Sequence, residues 1–322
     1  MFDRALITGV SGFVGGFLAE HLLDCGDEVL GSSANGKWEA HSPPQLAAQV
    51  ELVAWDLGSA DGLSDGARRQ IEQFRPTCIY HLAALSVPED CGAEEPLPRA
   101  VAINVDGTRR VMELAASLPS RPRVLMISSS HVYAPVLPES PQVGERAPLA
   151  PRRGYGRTKL LAEAEVRRAI DRHGCDAVIA RSFQHTGPRQ SERMMLPHWA
   201  RQFAEGRRPV EVRTCDAYID LSDVRDVVRA YRRLVQCGVR GEVYNVGSGV
   251  CRRTGDILQL LGNLADPQRP IVELSPGRRQ DPIADITRLV QCTGWQAAIP
   301  IEETIADTWA WWRDLAAGRQ GV

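Results

Sequence analysis

The chain has 322 residues, of which 43% are hydrophobic and 24% charged, and its formal net charge is −2. This length is enough for one large α/β domain or for two domains that share a cleft, and the apolar fraction is ordinary for a globular protein. The near balance of charge excludes a large basic field, so we expect no nucleic-acid partner.

In chain order, the first half alternates between short apolar runs and helical patterns. Strands are predicted at RALITG, EVLGSS, VELVAWDL, TCIYHLAAL, RVLMISSS and CDAVIARSF. Helices are predicted at GFLAEHLLDCG, AVAINVDGTRRVMELAASL and GRTKLLAEAEVRRAIDRHG. Such alternation is typical of βαβ units, and near-continuous apolar strands indicate a sheet that is covered on both faces. The predicted fold class is therefore α/β, with a Rossmann doubly wound parallel sheet.

The alternation ends at about residue 183. Further helices are predicted at LPHWARQFAEG, DVRDVVRAYRRLVQCG, DILQLLGNLA and IEETIADTWAWWRDL, and further strands at GEVYNVG and near IVEL. We predict a dinucleotide-binding Rossmann domain over 1–183, to which 217–250 returns, and a smaller C-terminal lobe over 184–322 that is mainly substrate-binding. Surface loops are predicted at two proline-containing segments, WEAHSPPQ and APVLPESPQVGERAPLAPRRG.

A glycine-rich segment, TGVSGFVGG, follows the first predicted strand and begins the first predicted helix. Gly9 permits a tight turn, Gly12 lets the backbone approach a pyrophosphate, and Gly15 lets helix and strand pack closely. The helix N-terminus then offers unpaired N–H groups and the positive end of its dipole to the phosphates. An ordinary glycine-rich turn is the alternative, but the position between strand and helix favours a dinucleotide site.

The end of the second predicted strand, VLGSSANGKW, bears on the choice between NAD and NADP. Ser33 stands where NAD sites usually carry an acid for the ribose 2′-hydroxyl. Nothing negative there would repel a 2′-phosphate, and Ser32, Ser33 and Lys37 can bind one, so the pattern favours NADP and is compatible with NAD. Asp56, which ends the third predicted strand, is expected to contact the adenine, with a solvated strand-end acid as the alternative.

Tyr155 and Lys159 of YGRTK are i, i+4 neighbours at the start of a predicted helix. A lysine one turn from a tyrosine can lower the tyrosine pKa, because it places positive charge beside the phenolate. A tyrosine with a pKa near neutrality can act as general acid or base for a carbonyl/alcohol couple. One of the serines at 128–130, where the neighbouring predicted strand ends, can hold the same substrate oxygen. A surface tyrosine and lysine are the alternative.

Together these motifs resemble the extended short-chain dehydrogenase/reductases that act on nucleotide sugars, the NAD-dependent epimerase/dehydratase family. The resemblance also rests on HLAA, SSSHVY, ARSFQHTGP, YNVGSG and RRQDPIADITRL, and it is strongest to the branch of GDP-mannose 4,6-dehydratase and GDP-4-keto-6-deoxy-mannose reductase. It implies a catalytic set of Ser129, Tyr155 and Lys159. It further implies cofactor contacts at Gly9, Ser11, Gly12, Phe13, Val14, Gly15, Ser32, Ser33, Asp56, Leu57, Leu82, Ala83, Ala84, Asn104, Tyr155 and Lys159.

His131 bears on the reaction that the resemblance implies. Dehydratases of this family place a glutamate just before the VY or LY, where it removes the C5 proton, and this chain has His131 there. The resemblance therefore favours an NAD(P)-dependent reductase of a 4-keto-6-deoxy hexose nucleotide, GDP-linked. An NAD-retaining nucleotide-sugar 4-epimerase is the alternative, followed by a 4,6-dehydratase and by a non-catalytic regulatory protein that keeps the fold.

The diphosphate-binding arginine that the family carries in RDY or RDF is missing, because this chain reads CDAYID there. Arg189, Arg213 and Arg278 are candidates for its role, since a guanidinium suits bidentate phosphate contacts. A solvated surface arginine is the alternative for each of them. The predicted substrate contacts are these three arginines with Ser86, Ser130, His131 and Gln184.

The remaining expectations concern compartment and partners. Eight cysteines without a C-x-x-C pair predict reduced thiols, neither disulfides nor a metal site. No signal peptide and no apolar stretch of about 18 residues is found, so we expect a cytoplasmic protein without membrane association. The resemblance implies a homodimer through the helices over 96–118 and 155–173, with outward apolar positions at Met112, Leu160, Leu161 and Ala164.

Overall fold

The secondary structure is described for residues 3–39 and 42–320 in a computed structural model. Its strands are β1 (Arg4–Thr8), β2 (Glu28–Ser33), β3 (Glu51–Ala54), β4 (Cys78–His81), β5 (Arg123–Ser129), β6 (Gln142–Val143), β7 (Ala177–Ser182), β8 (Gln184–Thr186), β9 (Val210–Val212), β10 (Ala217–Asp223), β11 (Val243–Val246), β12 (Cys251–Arg253), β13 (Ile271–Glu273), β14 (Arg279–Gln280) and β15 (Ile283–Ala284).

The helices divide between the two halves of the chain. They are α1 (Phe13–Asp24), α2 (Pro44–Gln49), α3 (Asp65–Phe74), α4 (Pro98–Val101), α5 (Gly107–Ser117), α6 (Gly154–His173), α7 (Met195–Ala204), α8 (Val224–Cys237), α9 (Thr254–Ala265), α10 (Thr287–Thr293) and α11 (Ile301–Gln320). A π-helical turn, Ala102–Asp106, joins α4 to α5, and short 3₁₀ turns occupy Pro88–Cys91 and Ser130–Val132.

A seven-stranded parallel sheet in the order β11-β7-β5-β4-β1-β2-β3 forms the centre of the fold. The strand order reverses between β1 and β4, because β2 and β3 lie on one side of β1 and the later strands on the other. Open α/β sheets bind ligands at such a switch point, beyond the carboxyl ends of the strands. This topology confirms the predicted Rossmann doubly wound parallel sheet.

Both faces of this sheet are buried, which explains why its strands read as nearly continuous apolar runs. One core lies under α1, α8 and α10 and includes Leu18, Tyr231 and Leu234. The core on the opposite face lies under α3, α5 and α6 and includes Ile71 and Val166.

The second half of the chain builds a smaller lobe and also contributes to the central sheet. A third core, packed among α7, α9 and α11, includes Trp199, Phe203 and Leu261. Its main sheet is centred on β10, which pairs with β8, β12 and β14. The chain then returns to the first region, since α8 packs against α1 and β11 pairs with β7. The division into domains over 1–183 and 184–322 stays a prediction.

Every predicted strand and helix has a counterpart in the structure, and further elements that were not predicted are β8, β9, β10, β12, β14, β15 and α10. The predicted loop WEAHSPPQ was wrong at its end, because α2 begins at Pro44, and proline suits the first turn of a helix; residues 40 and 41 of that loop lie outside the described residues. The long predicted loop after β5 contains β6, which pairs with β15. Helix α3 was not predicted, although Ser64 caps it by accepting a hydrogen bond from the Ala67 amide.

One of the predicted outward positions is wrong. Met112 is 1% exposed and belongs to the core under α5 and α6, because these two helices pack against each other within the chain. Leu161 is 47% exposed and Ala164 is also exposed, whereas Leu160 is half-buried. The outward apolar surface of α5 and α6 is therefore smaller than predicted.

Candidate active site

A cavity of about 800 Å³ lies beyond the carboxyl ends of β1, β4, β5 and β7. Its volume is in the range of cofactor and ligand sites. The lining comes from the turn after β1, from the segments after β4 and β5, from the start of α6, and from residues 190–196 of the second half. The cavity therefore occupies the switch point of the sheet, where the sequence predicts cofactor and substrate.

The glycine turn at the start of α1 has a backbone that only glycine fits at two positions. Gly9 has φ +73°, and a Cβ there would lie 2.8 Å from the Cα of Ala83. A Cβ on Gly15 would lie 2.3 Å from the carbonyl oxygen of Gly9. Gly12 precedes α1 and provides no side-chain cap, so the first amides of the helix are free for an anion. These residues fit the pyrophosphate of a dinucleotide.

Beyond the glycine turn, the cavity is lined by Ser32 and Ser33 at the end of β2 and by Asp56 after β3. The Ser33 hydroxyl donates to the Lys37 carbonyl over 2.9 Å, while the Lys37 side chain is exposed and does not line the cavity. The predicted role of Lys37 at a 2′-phosphate therefore lacks support from its placement. Ser32, Ser33 and Asn35 line the cavity at the end of β2, and their hydrogen-bonding groups suit the adenosine ribose of either NAD or NADP.

The predicted catalytic residues Ser129, Tyr155 and Lys159 meet in the cavity. The Ser129 hydroxyl accepts a hydrogen bond from the His131 amide over 3.2 Å. The Lys159 ammonium donates to the Ile127 carbonyl over 2.8 Å, so the helix that carries it is fixed to the end of β5. Burial lowers the pKa of Lys159 to about 8.

The tyrosine pKa differs from the prediction. Burial raises the pKa of Tyr155 to about 12, and a hydrogen bond with Ser129 opposes this rise only in part. The predicted lowering toward neutrality is wrong for this structure, because the loss of water around the phenol raises the pKa of Tyr155. At neutral pH Tyr155 is therefore protonated and is a proton donor.

The first turn of α6 lies unusually close to the loops that line the cavity. A Cβ at Gly156 would lie 2.2 Å from the His131 carbonyl oxygen, and one at Gly154 would lie 2.3 Å from the Cys91 carbonyl oxygen. Glycine on both sides of Tyr155 thus lets the helix approach until the tyrosine hydroxyl reaches Ser129. The two glycines of RGYGRTK therefore permit this close contact between α6 and the loops.

His131 lies on the cavity wall beside Tyr155. Its ring contacts the ring of Tyr155 edge-on, with centroids 5.4 Å apart. Partial desolvation lowers the pKa of His131, which keeps the imidazole neutral at pH 7. Gln184 also lines the cavity and donates to Asp281 over 2.9 Å. Ser86 and Ser130 line the cavity as predicted substrate contacts.

Most of the predicted cofactor residues line the cavity, but Asn104 does not. Its carboxamide accepts from the Leu85 amide over 2.7 Å and donates to the Thr158 hydroxyl over 3.0 Å. Asn104 is 2% exposed and lies in the π-helical turn, so it joins the segment after β4 to the helix of Tyr155. The predicted direct contact is corrected to a supporting position. The predicted residues that do line the cavity include Ser11, Phe13, Val14, Leu57, Leu82, Ala83 and Ala84.

The three predicted diphosphate arginines lie outside the cavity lining. Arg189 makes two hydrogen bonds of 2.7 Å to Glu20 and stacks on Phe17, 3.8 Å from the ring centroid. Arg278 stacks on Tyr218 at 4.9 Å, and Arg213 is exposed. Their predicted placement is wrong, since these contacts hold Arg189 and Arg278 elsewhere.

Two other arginines line the cavity in their place, Arg193 and Arg279. Arg193 makes a bidentate pair with Asp90 at 2.7 and 2.8 Å, and Arg279 donates to Asp281 over 2.8 Å. Each stands close in sequence to an arginine that was predicted, Arg193 to Arg189 and Arg279 to Arg278. Further lining residues that the sequence did not single out are Trp55, Ile103, Ser182, His185, Leu221 and Tyr231.

Over residues 3–39 and 42–320, no group of three or more His, Cys, Asp or Glu side chains is arranged to hold a metal ion. Within the same part of the chain, no helix combines the length and the apolar character needed to cross a membrane.

Comparison with known proteins identifies the family. The model of the "NAD dependent epimerase/dehydratase family" matches residues 5–247. The chain belongs to this family. GDP-6-deoxy-D-mannose reductase of Pseudomonas aeruginosa is 30% identical over 95% of both chains, and UDP-glucose 4-epimerase of Mycolicibacterium smegmatis is 29% identical over 97% of this chain and 99% of that one. This family member also resembles the solved structure of RMD from Pseudomonas aeruginosa complexed with NADPH, with a TM-score of 0.80, 28% identity and coverage of 97% and 99%.

Membership confirms the predicted enzyme class, an NAD(P)-dependent nucleotide-sugar oxidoreductase or epimerase of the extended short-chain dehydrogenase/reductase type. The fold and the glycine turn agree with that class, since the turn fits a dinucleotide pyrophosphate. Reductases and epimerases both occur among its relatives, so family membership alone does not determine which of these reactions the protein performs.

Proposed function

We propose that this protein is an NADPH-dependent reductase of a GDP-linked 4-keto-6-deoxy hexose. The observation that carries the proposal is the placement of Tyr155 and Ser129 in one cavity, with His131 where the family resemblance implies a glutamate in a dehydratase. The similarity to the P. aeruginosa GDP-6-deoxy-D-mannose reductase supports the substrate class.

NADPH supplies a hydride when bound, and the chain's own residues handle the proton. Tyr155, whose pKa is about 12, donates its proton to the substrate oxygen as negative charge develops there. Ser129 holds the same oxygen through its hydroxyl. Lys159 places a positive charge one turn below Tyr155, which stabilises the phenolate that remains. Proximity within one cavity makes this transfer effectively unimolecular.

We further propose that Arg193 and Arg279 bind the diphosphate of the nucleotide. Both line the cavity and both are held by carboxylates, Asp90 and Asp281, that can release them to a more highly charged partner. The predicted substrate contacts Ser86, Ser130, His131 and Gln184 are proposed to surround the sugar, because all four line the same cavity.

The test is turnover with a nucleotide-linked keto sugar. Purified protein with NADPH and GDP-4-keto-6-deoxy-mannose should consume the absorbance of the reduced nicotinamide, and Tyr155→Phe should consume little. NADH in place of NADPH tests the cofactor preference, and dTDP- and UDP-linked keto sugars test the nucleotide. Absence of turnover with every one of these substrates would refute the reductase.

An NAD-retaining 4-epimerase is the second candidate, favoured by the similarity to the M. smegmatis UDP-glucose 4-epimerase. It uses the same tyrosine, serine and lysine and needs no net supply of reduced cofactor. Mass spectrometry of the denatured protein separates the two candidates. A stoichiometric content of NAD, together with interconversion of UDP-glucose and UDP-galactose, would favour the epimerase.

We also propose a cytoplasmic homodimer. All eight cysteines are free, as expected in a reducing compartment. Leu161 on α6 and Leu97 before α4 are 47% and 48% exposed, near the helices that the family resemblance assigns to the interface. Sedimentation of wild type and Leu161→Asp should give a dimer and a monomer respectively.

A further inference from the structure

A buried ion pair lies directly behind the catalytic residues and has no part in the proton transfer. Glu163 is 0% exposed and Arg181 is 1% exposed. Arg181 on β7 donates to Glu163 on α6 with Nε at 2.9 Å and Nη2 at 2.8 Å. Arg167, which is partly exposed, adds a third contact at 3.1 Å. The carboxylate is therefore ionised, and these contacts lower the pKa of Glu163 against the opposing effect of burial.

The same carboxylate also holds β5 where that strand ends. The Ser128 hydroxyl donates to Glu163 Oε1 over 2.6 Å. Ser128 and Arg181 are direct partners in the β5–β7 ladder, and the next pair is Ser129 with Ser182. Glu163 thus connects one residue on each of two adjacent strands to α6, and one of these residues, Ser128, itself lines the cavity next to Ser129.

Stability alone does not account for this arrangement. A buried ion pair loses hydration on both sides, and replacing such a pair by well-packed apolar groups is often neutral or stabilising. What the pair provides is a fixed relation among three elements that carry site residues. Tyr155, Lys159 and Glu163 follow one another at intervals of four on α6, so they share one helix face.

We propose that Glu163 is a positioning residue, whose buried carboxylate fixes Ser128, and with it the end of β5 that carries Ser129, against the helix that carries Tyr155 and Lys159. This inference rests on the proposed function, because it assigns Glu163 a part in that same proton transfer. Glu163 touches neither substrate nor cofactor; it acts through the distance between Ser129 and Tyr155.

The charge of Glu163 has a second effect, on Lys159. Burial lowers the pKa of Lys159, and Cys91 and Glu163 oppose that change. Burial also raises the pKa of the Cys91 thiol to about 11, so this thiol is neutral where Lys159 titrates. Glu163 is then the charged group that opposes the effect of burial on the pKa of Lys159. The titratable groups around Lys159 are Tyr155 and Glu163 on its own helix, His81 on β4, Cys91 in the Pro88–Cys91 turn, His131 after β5, and Arg181 beyond Glu163.

Four variants of the full-length protein separate position from charge. Ser128→Ala removes the contact to β5 and keeps both charges. Glu163→Asp keeps the charge and shortens the reach, whereas Glu163→Gln keeps the reach and removes the charge. Glu165→Gln is the matched control, since Glu165 lies two residues further along α6 and pairs with Arg168.

Two measurements are needed. The first is kcat and KM for the proposed reduction. The second is the pH at which Lys159 becomes reactive toward acetic anhydride, followed by mass spectrometry of its peptide, which requires no substrate. We expect Ser128→Ala and Glu163→Asp to lower kcat about tenfold with KM nearly unchanged, because the geometry is lost only for the transition state. The Lys159 midpoint should stay at its wild-type pH in both.

Glu163→Gln should move the Lys159 midpoint to lower pH by about half a unit or more, because it removes a negative charge from the same helix face. The alkaline limb of the pH–rate profile should move with it, and Glu165→Gln should change neither. Equal kcat in wild type, Ser128→Ala and Glu163→Asp, or equal midpoints in Glu163→Gln and Glu165→Gln, would overturn the inference. If Glu163→Gln does not fold, Ser128→Ala and Glu163→Asp decide it. A wild type without turnover refutes the proposed function, while the labelling still tests the charge effect.

Discussion

His81 provides a prediction about acid stability that follows from one buried ring. Its Nδ1 lies 2.8 Å from the Thr8 hydroxyl and its Nε2 lies 2.9 Å from the Thr108 hydroxyl, so the ring joins β1, β4 and α5. Burial lowers the pKa of His81 from 6.5 to about 3, and the positive charge of Lys159 adds to this effect. The native protein therefore keeps His81 neutral over the mildly acidic range, while the unfolded chain binds a proton there.

The sign and size of the effect follow from these two pKa values. Below pH 6.5 the unfolded state binds a proton at His81 that the native state does not bind. The free energy of unfolding therefore falls as the pH falls, down to about pH 3. At 1.36 kcal/mol for each pKa unit, the loss from this residue is about 2 kcal/mol at pH 5 and about 5 kcal/mol by pH 3. His81→Gln should remove this dependence, because a glutamine amide does not titrate.

Urea unfolding of wild type and His81→Gln at about pH 7.5 and pH 5 measures the difference. At neutral pH the variant should be less stable by about 1–3 kcal/mol, since it loses one of two buried hydrogen bonds. At about pH 5 the gap should close by about 2 kcal/mol. His173→Gln, at the exposed end of α6, is the control and should follow wild type. Parallel pH dependence in wild type and His81→Gln would contradict the assignment of a neutral buried ring.

Three further predictions concern the cavity. Tyr155→Phe should lower kcat by about 10²- to 10⁴-fold, as steady-state kinetics can measure. Arg193→Ala should raise KM for the nucleotide sugar about tenfold or more, whereas Arg189→Ala, whose side chain pairs with Glu20, should not; equal values would refute the diphosphate assignment. Gly15→Ala should abolish cofactor binding, because its Cβ would lie 2.3 Å from the Gly9 carbonyl oxygen, and calorimetric titration with the cofactor measures this.

The sequence was most informative where spacing within one element defines the geometry. Strand–helix alternation predicted the parallel sheet, and the glycines at 9, 12 and 15 predicted the turn, since each depends on residues a few positions apart. Tyr155 and Lys159 share a helix face by their spacing alone. Local pattern was weakest for short polar elements such as α3, and for the boundary between the two lobes, which remains a prediction.

The tertiary structure decided what depends on contacts between distant segments. Arg193 reaches the cavity beside Asp90, 103 residues away, whereas Arg189 is held by Glu20 on α1. Asn104 is behind the cavity wall because its carboxamide bonds to Leu85 and Thr158.

The pKa of Tyr155 and the pairing of Glu163 with Arg181 also depend on contacts between distant segments. The pKa of Tyr155 is set by how much water the folded chain removes, which spacing does not reveal. The pairing of Glu163 with Arg181 likewise exists only because α6 packs over β5 and β7. The sequence by itself therefore determined the kind of site and the candidates for its reacting groups. Packing determined which charged side chains line the cavity and which ones pair with each other behind it.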